Sequence, residues 1–228
     1  MPAKLQAKAR EVLEELRAVL GKGGLLDTVL PPALFLVINS SAGFNAAMVA
    51  ALGAAAVIAL LRLRRGQAPL YALGGMASVG IAIGLALLLG RSEGFFLPGI
   101  LNGALMLALA LVSLALGKPM VAWTSFLARR WTLEWYWHPR VRPAYTEVTV
   151  AWAAFFALRL GWQVALFQGR ATERLALANA LTGWPATLAL LVLSYLYGTW
   201  RLGALHGPSV EEFRSGAPAP WQGQRRGF

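Results

Sequence analysis

Apolar residues fall into six stretches along the chain, at approximately Leu25–Ser41, Asn45–Leu61, Leu70–Gly90, Phe96–Gly117, Val148–Phe167 and Leu175–Gly203. At about 1.5 Å per helical residue most can cross a hydrocarbon core of about 30 Å, and the first two need help from their flanks or a thinner bilayer. The stretches predict an all-α polytopic membrane protein with six transmembrane helices.

The polar positions between the stretches alternate in charge. Lys4, Lys8, Arg10, Arg17 and Lys22 precede the first stretch, and Ser41–Phe44 carries no basic residue. Arg62, Arg64 and Arg65 follow the second, and Arg91 stands alone after the third. The fourth connection holds Lys118, Arg129, Arg130, Arg140 and Arg142, the fifth only Arg170 and Arg174, and the C-terminal end Arg201, Arg214, Arg225 and Arg226. The positive-inside rule then places both termini in the cytoplasm.

Three further elements follow from the same pattern. Residues 3–20 place Leu5, Val12, Leu16 and Val19 at near-helical spacing opposite Lys and Glu, which predicts an amphipathic cytoplasmic helix within an N-terminal segment 1–24. Val121–Arg130, apolar then basic and followed by aromatic residues, is too short for a further span. It predicts a cytoplasmic interfacial helix, with Trp131, Trp135 and Trp137 at headgroup level and Arg129 and Arg130 among lipid phosphates. The transmembrane domain is expected over 25–205, and the proline-containing segment 206–228 reads as a flexible cytoplasmic tail. Within the third stretch, Gly80 and Gly84 form a GxxxG pair of the kind that lets helices approach closely. Asn45, Asn102 and Asn179 open the even-numbered stretches, a weak sign of three tandem helical hairpins.

Composition narrows the chemistry. The chain is 57% hydrophobic and 14% charged, with a net charge of +11. A soluble surface needs more charge than that, and the basic residues sit at helix ends rather than on a nucleic-acid-binding face. There is no cysteine, so disulfides and thiolate sites are excluded. His138 and His206 both fall in connections and Asp27 is the only aspartate, so no metal centre, cofactor site or catalytic set can be assembled and no enzyme activity is expected.

Arg159 is the sharpest single residue, a charge well inside the fifth stretch. Such a charge is costly in hydrocarbon and needs polar partners. Gln163, Asn102, Asn45, Asn179 and Glu93 are the candidates, and with Arg159 they would form a polar pocket opening outward. The pocket reads either as an anion- or substrate-binding site or as a structural tie between helices. Asp27, at the start of the first stretch, and Glu147, before the fifth, read either as partners for each other's neighbouring arginines or as helix-start acids favoured by the dipole.

Several strings carry a resemblance. Leu30-Pro-Pro-Ala-Leu-Phe-Leu-Val, Phe95-Phe-Leu-Pro-Gly-Ile-Leu-Asn-Gly103, Gly117-Lys-Pro-Met120, Ala151-Trp-Ala-Ala-Phe-Phe-Ala-Leu-Arg-Leu160 and Gly183-Trp-Pro185 occur in that order. The chain resembles a family of uncharacterised six-span actinobacterial membrane proteins, and its layout is similar to that of the intracellular septation protein A family. The resemblance implies a bacterial inner-membrane protein linked to envelope maintenance or division, and it supplies no catalytic residues. The function expected is a non-enzymatic scaffold whose partners are the lipid bilayer and either other membrane proteins or a second copy of itself. The alternative is a transporter of a small molecule or ion that uses the Arg159 pocket.

Overall fold

The computed structural model describes residues 25–224 together with Gly227 and Phe228, without the side chains of residues 25–33, Leu36 and Tyr71. The amphipathic helix expected over 3–20 lies outside the described residues. Among the described residues all regular structure is helical: α1 (Leu25–Arg64), α2 (Pro69–Leu89), a 3-10 turn (Ser92–Phe96), α3 (Leu97–Ala115), α4 (Met120–Arg129), α5 (Leu133–Tyr136), α6 (Arg142–Gln168), α7 (Thr172–Thr182), α8 (Trp184–Leu205) and α9 (Val210–Ser215).

Five helical stretches among the described residues are long and apolar enough to cross a membrane, not the six expected: Val37–Arg64, Ala72–Leu89, Ser92–Ala115, Arg142–Gln168 and Thr172–Leu205. The difference arises in α1. A separate first span requires a loop at Ser41–Phe44, but the helix continues through it. Ser40 and Ser41 satisfy their hydroxyls on the Val37 carbonyl, at 3.0 and 2.8 Å, as serines inside an apolar helix do. Only Gly43 leaves helical geometry, at φ 82° and ψ 175°. The helix bends there. Phe35 and Phe44 meet edge to face at 6.2 Å, whereas nine residues of straight helix would separate them by about 13.5 Å along the axis.

The chain divides into two compact units, Met1–Ile100 with Gln163–Trp184, and Leu101–Trp162 with Pro185–Phe228. The core of the first is built from small residues around a phenylalanine cluster. Ala47 and Ala51 of α1 and Ala82 and Ala86 of α2 are buried with Leu175 and Ala176 of α7. Phe35 stacks on Phe95 at 4.1 Å, and Phe96 meets both edge-on. Gly90, at φ 63°, closes α2 and turns the chain into the 3-10 turn, which then runs so close to α2 that a Cβ on Gly94 would lie 2.7 Å from the Ala86 Cα. Gly80 and Gly84, by contrast, have nothing within 4 Å of a Cβ, so the GxxxG pair is not a packing face within the described residues.

The second unit is organised around aromatic residues. Trp135, Tyr136 and Tyr145 are fully buried with Val141, Val148, Leu202, Val210 and Phe228. The expected flexible tail is instead part of this core. Ser209 and Glu212 form a capping box that starts α9, and Phe228 stacks on Tyr145 at 4.4 Å, directly over the place a Gly198 side chain would occupy. Prolines at 208, 218 and 220 suggest a chain that cannot pack, but the deciding groups are the cap and the terminal aromatic ring.

Gly94→Ala is expected to destabilise the first unit by about 1–3 kcal/mol, because backbone cannot move aside as a side chain can, while Gly80→Ala is near neutral; thermal unfolding of the purified variants checks both. The backbone N–H groups of Ser209, Gln222 and Gly223 converge on the Glu212 carboxylate at 2.8, 2.7 and 3.3 Å. They hold its pKa down at about 2, against an ordinary 4.5. A depressed acid contributes stability above its unfolded pKa and loses it as pH falls through the folded one. Amide exchange at Gln222 and Gly223 is therefore expected to accelerate, beyond its intrinsic pH dependence, between about pH 4.5 and 2, and Glu212→Gln removes that component.

Candidate functional site

Polar side chains on apolar helices are few, and their positions define the candidate site. In the first unit they tie α7 to its neighbours. Thr172, at the start of α7, donates its hydroxyl to the buried carboxylate of Glu93 in the 3-10 turn. Two turns on, Asn179 accepts a hydrogen bond from the Gln163 amide at 2.6 Å and donates to the Leu175 carbonyl at 2.9 Å. Thr172 and Asn179 are seven residues apart, so they share one face of the helix with the buried Leu175 and Ala176. Gln163 is 1% exposed, and its carbonyl oxygen has no hydrogen-bond partner. Ser92 donates to Asn39 at 3.2 Å, and the Arg91 guanidinium lies 4.4 Å over the Phe167 ring.

Of the pocket residues expected from sequence, the structure therefore brings Gln163 and Asn179 together and buries Glu93 against Thr172. Asn45 belongs to the same unit and is exposed. Arg159 and Asn102 belong to the second unit. Arg159 is half-buried on α6 and its Nε has no hydrogen-bond partner, and Asn102 is exposed on α3.

The second unit has a charged centre of its own. Glu147 on α6 receives a two-pronged contact from Arg201 on α8, with Nε at 2.8 Å and Nη2 at 2.8 Å, and the Tyr197 hydroxyl donates to it at 2.7 Å. The planar guanidinium matches the carboxylate fork, so the pair fixes the rotation of the two helices. Glu147 thus pairs with an arginine 54 residues on, rather than with one of the basic residues near Asp27 that the sequence offers. Trp152 Nε1 donates to Ser194 Oγ at 3.0 Å and ties the same helices together.

The interfacial segment divides differently from the expectation. α4 forms, but Trp135 is fully buried and donates its indole N–H to the Pro208 carbonyl at 2.9 Å, so it is a core residue rather than a headgroup anchor. Tyr136 is buried beside it against Ser125, and burial pushes its phenol above the ordinary value. Arg129 is engaged inward as well, donating to the Phe228 carbonyl at 3.0 Å with its guanidinium 5.1 Å over Trp131, which is half-buried. Arg130 is exposed in a left-handed turn, and Trp137 is half-buried against the exposed Trp123. The aromatic spacing marks this segment from sequence, but not which rings turn inward. Among the described residues no three His, Cys, Asp or Glu side chains gather to hold a metal ion. His138 packs edge-on against Phe213 and Trp221.

Trp135→Phe is expected to cost about 2 kcal/mol, because it leaves the buried Pro208 carbonyl without its donor. The loss should appear as a lower unfolding temperature with helicity retained.

No curated protein and no solved structure matches the chain. A family model does, over residues 20–200, and its description is "Protein of unknown function (DUF3159)". That match covers most of the chain, including α1 to α7 and most of α8, and the protein therefore belongs to the DUF3159 family.

Proposed function

We propose that this protein is an integral protein of the bacterial cytoplasmic membrane that works without enzymatic chemistry, through contacts with lipid and with neighbouring membrane proteins. The observation that carries this reading is the outward face of the long helices. Leu70 is 90% exposed, Leu88 83% and Leu158 77%, with many leucines and valines beside them. Such surface is at home in hydrocarbon and not in water. The polar groups described above join one helix to another, as expected of ties within a body rather than of a reaction centre. The basic connections Arg62–Arg65 and 118–142 face the cytoplasm in this reading. A role in envelope maintenance or division rests on the resemblance of short strings in the sequence to the septation protein A family.

Transport through the Arg159 region is the competing reading, favoured by the unpartnered Nε of that residue. The two differ in what Arg159 does. For a scaffold, Arg159→Ala lowers the yield of folded protein, and native mass spectrometry finds no small-molecule adduct that depends on the guanidinium. An adduct lost in Arg159→Lys, with the protein still monodisperse, would overturn the scaffold in favour of a binding site.

Membrane insertion is tested separately. The chain should stay in the pellet on alkaline carbonate extraction. Because it contains no cysteine, Ala68→Cys and Gln168→Cys provide unique labels. An impermeant maleimide is expected to reach Gln168→Cys in intact cells and Ala68→Cys only after permeabilisation. Release by carbonate would overturn the membrane reading, and the reverse labelling its orientation.

A further inference from the structure

We propose that the turn between α3 and α4 is a binding site for the phosphate of an anionic phospholipid, an inference that rests on the membrane reading above. The site is built by one glycine. Gly117, at φ 66°, ends α3 in the left-handed conformation, and the N–H groups of Gly117 and Lys118 bond back to the carbonyls of Leu114 and Ser113. Pro119 then starts α4, and the Ser113 hydroxyl accepts the Met120 N–H at 2.9 Å. Lys118 is thereby held at the tip of the turn.

Two cations flank that tip. The Lys118 ammonium lies 6.0 Å over the Trp137 ring. Arg142, the first residue of α6, brings Nη1 to 3.7 Å from the position a Cβ on Gly117 would occupy. Lys118 and Arg142 are exposed, and among the described residues neither pairs with a carboxylate. Arg129, by contrast, is engaged with the Phe228 carbonyl.

The surroundings select a lipid over a free anion. Trp137 packs against Trp123 at 5.7 Å, and Trp123 is exposed on α4 together with Leu127, with Leu116 exposed at the end of α3. Indoles and leucines beside two positive groups suit a molecule with a phosphate at one end and hydrocarbon at the other. Inorganic phosphate would use the cations and leave the apolar side bare. Trp137 is the one aromatic residue shared with the set expected from sequence; Lys118, Arg142 and Trp123 take the places of Arg129, Arg130, Trp131 and Trp135.

The test titrates the purified full-length chain in mild detergent with phosphatidylglycerol or phosphatidylcholine and reads lipid adducts by native mass spectrometry. The wild type is expected to prefer phosphatidylglycerol. Lys118→Gln with Arg142→Gln should weaken that binding roughly thirty-fold, and Lys118→Gln alone, at an exposed position, about five-fold if the double variant does not fold. Arg64→Gln with Arg65→Gln removes the same charge elsewhere and should leave binding intact. Equal binding of the two lipids, an unchanged affinity in the Lys118 and Arg142 variants, or displacement of the lipid by inorganic phosphate would each overturn the site. Release by carbonate together with selective phosphatidylglycerol binding would sink the membrane reading and keep the headgroup site.

Discussion

In hydrocarbon surroundings a helix clothed in leucine and valine satisfies its backbone hydrogen bonds within itself, and a polar side chain on it is costly unless it finds a partner. That constraint shapes both units. Serines in α1 bond back to the Val37 carbonyl. Glu93 is buried against the Thr172 hydroxyl, Gln163 is tied to Asn179, and Glu147 takes the Arg201 fork. The last three ties each span two elements, so these polar residues help fix how the apolar helices pack.

The two units solve the packing problem differently. In the first, alanines let helices approach, and Gly94 lets the 3-10 turn lie against the backbone of α2. In the second, large aromatic side chains fill the interior, and most of their polar edges find partners. Trp135 reaches Pro208 and Tyr136 reaches Ser125. The buried Tyr145 hydroxyl has no hydrogen-bond partner, and its ring is covered by Phe228. Small residues give close backbones with little chemistry. Aromatic residues give a core on whose edge the half-buried Trp137 packs, with the exposed Trp123 against it.

Much of the body was legible in the order of the residues. Apolar stretches of about the length of a membrane crossing give helices at α2, α3, α6 and α8, because hydrophobic run length is a local property. Gly90 and Gly117 mark helix ends for the same reason: only glycine takes the left-handed geometry there without strain. The first two stretches were not separable, since Gly43 bends a helix without making the loop that a division into two spans assumes. The C-terminal segment read as a tail because its prolines are visible in the sequence, whereas the partners of Ser209, Glu212 and Phe228 are not.

The sequence by itself determined that this is an all-helical chain with apolar faces, one buried-type arginine and basic connections, because each of those is carried by composition and spacing along the chain. The tertiary structure decided which polar groups meet and which aromatic residues turn inward. Glu147 has several arginines nearer in sequence, Arg140 and Arg142 among them, yet the partner it meets is Arg201, 54 residues on. Trp131, Trp135 and Trp137 look alike in sequence, and only the position of Pro208 makes one of them a core residue. Pairings of this kind depend on helix rotation and on the close approach of segments far apart in the chain, and neither is written in any local pattern.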